Sequence, residues 1–142
     1  MHQTIGSLTI SPPIKPVNVN RHRMTILFRL LLAGTLIFIS SQAIIRNGIA
    51  VPIVNSDKSL HFLAFCTLAV LLDFAFPRSR FGTIKILSLI GYGILIEFVQ
   101  SFLPYRSAEL ADVFADMVGI CAYAGTIPLL RRFTFYQEYR QL

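Results

Sequence analysis

The residues of this chain that can do chemistry come in pairs. Asp57 and His61 stand four apart, Glu97 and Gln100 three apart, and Asp112 and Asp116 four apart. On a helix, side chains three or four apart share a face. Lys58 and Arg106 add cations close by in sequence. A histidine beside carboxylates suits general acid–base work or a hard divalent cation. Lys58, His61 and Arg106 together suit a phosphate or carboxylate. The patterns HExxH, GxSxG and CxxC do not occur, so no familiar protease, esterase or thiol–redox motif is present. Cys66 and Cys121 lie singly within apolar runs and are expected to be buried small side chains.

Something long and apolar must position these pairs. The 142 residues are 54% hydrophobic and 14% charged, with a mean hydropathy of +0.63. Soluble domains carry about 25% charged residues, so an ordinary soluble globule is excluded. Four apolar segments stand out, at roughly 24–45, 60–76, 84–103 and 110–130. Each is long enough, at ~1.5 Å per residue, to cross a ~30 Å hydrocarbon core. Backbone polar groups in lipid must be satisfied within the segment, which makes each a helix. The predicted fold is all-α, a polytopic membrane protein with a bundle of four transmembrane helices. Three parts are expected: a mobile polar N-terminal tail over 1–23, the membrane domain over 24–130, and a basic, aromatic tail over 131–142. The last suits an anchor at the membrane interface. Segment one has a basic front, but three more spans follow, so it is expected to be retained and not cleaved.

Charge sets the orientation. Lys15, Arg21, Arg23, Arg29, Arg78, Arg80, Lys85, Arg131, Arg132 and Arg140 fall on one side of a four-span chain, against Arg46, Lys58 and Arg106 on the other. The bias places both termini in the cytoplasm. The net charge of +6 is thus a topology signal, and no nucleic-acid partner is expected. With this topology, Asp57, Lys58, His61, Glu97, Gln100, Arg106, Asp112 and Asp116 gather at the outer face. Ionisable residues in a membrane mark function or packing.

Plainer roles compete for several of them. Asp57 is a candidate helix cap, and Ser107 and Glu109 are candidate caps for segment four. Arg106 is a candidate partner for Asp112 or Glu97, and Asp73 for Arg78 or Arg80. Gly91 and Gly93 are expected to serve helix packing. Ala111, Ala115 and Gly119 form a ridge of small residues that allows close helix approach, which turns the nearby Asp112 and Asp116 toward a neighbouring helix.

The ordered set Asp57-Lys58-x-x-His61-Phe62, Glu97-x-x-Gln100, Pro104-x-Arg106, Asp112 and Gly119 resembles the VanZ-like family of small integral membrane proteins, over about residues 25–130. Asp116 departs from the resemblance, since the family often has Asn there. The family takes its name from a protein associated with teicoplanin resistance. The resemblance implies an architecture and a candidate site, and it implies no cofactor and no reaction. The expected function is binding of a cell-envelope lipid or lipid-linked molecule at the outer face. The alternatives are a structural or accessory subunit of a membrane-protein partner, whose polar cluster locks its own helix bundle, or an enzyme that modifies an envelope lipid. The expected location is the bacterial inner membrane.

Overall fold

The structure, a computed structural model, describes residues 19–45, 56–106 and 108–140. Among them every regular element is a helix: α1 (Val19–Ile44), α2 (Ser56–Ala75), α3 (Thr83–Gln100), α4 (Leu110–Leu130) and α5 (Thr134–Arg140). The first four are long and apolar enough to cross a membrane. The all-α, four-span architecture read from the sequence is the one observed.

Local chemistry explains the boundaries. α2 stops at Ala75, just before Pro77, and α3 stops at Gln100, ahead of Pro104; proline disfavours a helical residue before it and lacks a donor itself. The bounds of α4 match the expected ones. α1 starts earlier than expected, at Val19, because Asn20, Arg21, His22 and Arg23 are compatible with a helix once Pro16 is past. Residues 1–18 of the expected tail lie outside the described residues.

The helices alternate in direction. Thr25, near the start of α1, has its Oγ1 3.2 Å from the Tyr139 hydroxyl of α5. The other end of α1 meets the α3–α4 loop, where Tyr105 donates to the Ile44 carbonyl at 2.8 Å. The core lies between α2 and α4, with Phe65, Leu68, Ala69, Ile120 and Tyr123 all buried. Gly119 makes that contact possible: a Cβ there would collide with the Phe62 carbonyl oxygen and crowd the Cys66 amide. The buried stripe of α4 is Asp112, Asp116, Gly119, Ile120, Tyr123 and Ile127, so the acids lie on the packed face itself, with Gly119. Ala111 of the expected ridge is exposed. Gly93 packs closely as expected, with its Cβ position against the Asp116 carboxylate and Phe65, whereas Gly91 faces open space. Cys121 is exposed and Cys66 half-buried, contrary to the expectation for both. Cys121 lies on the α4 side away from the core, where an apolar residue is accommodated by lipid.

Candidate functional site

Two polar clusters occupy opposite ends of the bundle. At the end carrying the α2–α3 loop, Asp73 is buried and receives four donors. Lys85 Nζ reaches Asp73 Oδ1 at 2.9 Å, and Arg140 Nη1 donates to the same oxygen. The Tyr123 and Tyr136 hydroxyls reach Oδ2 at 2.7 and 2.9 Å. Lys85 spends its other two protons on the Phe76 and Ser79 carbonyls, at 3.0 and 2.9 Å. Arg140 Nη2 also donates to Ser79, at 2.6 Å. Burial, with the Asp73 carboxylate next, holds the Tyr136 phenol above its ordinary range, so it stays a donor. Burial opposes the Arg140 charge, yet the Asp73 carboxylate outweighs it and raises its pKa. Asp73 thus pairs with Lys85 and Arg140, and not with Arg78 or Arg80 as expected. Their helices bring these two bases inward, while the loop points elsewhere. The segment read as an interface anchor folds back as α5, burying Tyr136, Tyr139 and Arg140.

At the other end, most of the expected site residues converge, in two layers. The first joins α2 and α4. His61 Nδ1 lies 2.9 Å from Asp116 Oδ1, so the ring donates to the carboxylate. Its other nitrogen lies 3.9 Å from Glu97 Oε1, too far for a hydrogen bond. Asp116 therefore pairs with a histidine, which accommodates the acid at the position where the resemblance has Asn. Lys58 bonds Glu109 at 2.9 Å and stands 3.8 Å from Asp112. Asp57 lies in the first turn of α2, one residue inside its start, where its charge complements the helix dipole. Glu109 precedes α4 without a side-chain cap bond; its amide instead donates to Glu97 Oε2 at 3.0 Å. Ser107, the other expected cap, lies outside the described residues.

The second layer closes the end of α1. A helix terminus leaves its last carbonyls without partners. Here Arg106 Nη2 donates to the Gln42 and Ile45 carbonyls at 2.7 and 3.0 Å, and Gln100 Nε2 to Ala43 at 3.4 Å. With Tyr105 on Ile44, four successive carbonyls are served. Among the described residues Arg106 pairs with no carboxylate, so it does not neutralise Asp112 or Glu97. Tyr105 was missed in the sequence, because backbone acceptors leave no mark there.

Between the layers lies a cavity of about 150 Å³. Its wall is apolar, from Phe38, Ile39, Leu60, Ala64, Phe65 and Ile96, and its rim is polar, from Gln42, Asp57, His61, Gln100 and Arg106. Several buried polar atoms at this end have no hydrogen-bond partner among the described residues: Glu97 Oε1, Arg106 Nε, Asp112 Oδ1 and Asp116 Oδ2. Buried polar groups are seldom left so.

Three comparisons bear on this site. The family profile VanZ/LLP1 matches residues 8–131, a span that includes both layers. A Schizosaccharomyces pombe protein described as uncharacterised is 36% identical over 85 residues, covering 57% of this chain and 51% of the relative. The chain thus spans about half the length of that curated relative. No solved structure matches.

Proposed function

Because the chain belongs to the VanZ/LLP1 family and is a four-helix membrane protein, we propose that it binds the anionic headgroup of an envelope lipid or lipid-linked molecule at the His61 end. One observation carries this reading: the cavity joins an apolar wall to a polar rim at one end of the spans. About 150 Å³ is room for several waters. That suits a headgroup with a few carbons, the remaining chain lying in the bilayer beside α1 and α2. His61 and the unpartnered Arg106 Nε supply donors for an oxyanion. Asp116 fixes the ring by taking the proton on Nδ1.

Native mass spectrometry of the purified protein tests it. The wild type is expected to carry a lipid of defined mass, and His61→Ala to lose it at normal abundance. Loss of abundance in both His61→Ala and Glu97→Gln, with no lipid on the wild type, would leave the cluster a structural one. The capping bonds favour a second role for the rim itself: Gln100 and Arg106 hold the end of α1. Arg106→Ala is expected to lower abundance as well as lipid.

The same reading places the His61 end outside and both termini in the cytoplasm, supported by the bias of basic residues toward the Asp73 end. In a bacterial cell this membrane is the inner one. Alkaline phosphatase, active only outside, should be inactive when fused after Leu142.

A further inference from the structure

We propose that Asp57, His61 and Asp112 form a site for a divalent cation between α2 and α4. Each of the three brings a ligand atom within 4.8 Å of the others. The spacing follows from the fold: Asp57 and His61 are one turn apart on α2, and Gly119 draws α4 against that face.

Two further observations point to a cation. Asp112 is 1% exposed, and its Oδ1 has no hydrogen-bond partner. Its nearest described base, Lys58, is 3.8 Å away and bonded instead to Glu109 at 2.9 Å. A buried carboxylate oxygen needs a partner, and among the described residues Oδ1 is offered only the edge of a surface pair. The second observation is the histidine. Its Nδ1 is committed to Asp116, which leaves Nε2 as the lone-pair nitrogen. A carboxylate behind a histidine in this way orients the ring for a metal and strengthens it as a ligand.

The donor set selects the ion. One imidazole with two carboxylates suits Zn²⁺ or Mn²⁺, whereas Ca²⁺ prefers six to eight oxygens. Donors about 2.0–2.2 Å from one ion stand roughly 3–3.5 Å apart. The exposed Asp57 side chain is free to swing and close the triangle. Lys58 already lies with Glu109 and needs no displacement. Glu97 Oε1, at 3.9 Å from Nε2 and unpartnered, is placed to enter as a fourth ligand.

An oxyanion would take the ring with Nε2 protonated and a metal takes it with Nε2 free, so the site is tested with the metal alone. Mn²⁺ is titrated into the full chain in detergent, without added lipid, and free Mn²⁺ is read from its six-line paramagnetic resonance signal. One Mn²⁺ per chain is expected to bind, to be displaced by Zn²⁺ and to survive a tenfold excess of Ca²⁺. Asp112→Asn and Asp57→Asn should each weaken binding at least tenfold. Asp57 is exposed, so its variant folds even where Asp112→Asn does not. Undiminished free Mn²⁺ over the wild type would overturn the site, and so would wild-type binding by Asp57→Asn.

Discussion

The two ends of the bundle treat buried charge in opposite ways. At the Asp73 end one carboxylate meets two cations and two phenols, and both its oxygens are occupied. At the His61 end Glu97, Asp112 and Asp116 are all buried, and each keeps an oxygen without a donor. Both ends draw on α2, α3 and α4, and both bury aspartate. A buried ion with a complete set of partners is a fastener. One with open valences leaves room for a further partner, a water or an ion included. Burial alone therefore does not tell the two ends apart, whereas completeness of partners does.

The contrast can be broken most forcefully at Asp73. Asp73→Ala strands Lys85 and Arg140 without their anion, and removing one member of a buried pair costs about 3–5 kcal/mol. Thermal unfolding in detergent is expected to show it as a large fall in midpoint. A small fall would erase the distinction between the ends. Gly119→Ala ranks next. Its methyl meets α2 backbone, which cannot swing aside, and overpacking of this kind costs about 1–3 kcal/mol. The same substitution is expected to separate His61 from Asp116, so it should reduce ligand binding as well as stability. Glu97→Gln comes third. It removes a half-partnered charge from the open end, and the unfolding midpoint is expected to hold or rise. A clear loss of stability would move Glu97 among the fasteners. Lys58→Ala is the mildest, since its pair with Glu109 is exposed and surface pairs contribute little. No measurable shift in unfolding is expected.

The sequence made one end far more legible than the other. Pairs at helical spacing on three apolar segments announced the His61 cluster, because periodicity reports which face a residue takes and topology reports its depth. The Asp73 cluster was hidden for the same reason that the orientation was visible. Lys85 and Arg140 were counted among the cytoplasmic bases, and a charge count does not ask where each side chain turns. A signal did exist: Lys85 is the single base of α3 and its third residue, and Arg140 follows two tyrosines at helical spacing. The cap on α1 carried no comparable sign. Gln100 and Arg106 stood out as polar residues, but their acceptors are carbonyls common to every residue type. The family resemblance pointed to the His61 cluster and was silent on which members hold the fold.

The partners of Asp73 also arrive at different times. Lys85 lies 12 residues downstream and Arg140 lies 67 residues downstream. As the chain leaves the ribosome, α2 and α3 can enter the membrane as a hairpin whose buried acid already has a base. Arg140 joins only after α3 and α4 have followed. The pairing thus allows assembly in two stages: a hairpin already neutralised by Lys85, then a clasp by Arg140 once α5 has folded back.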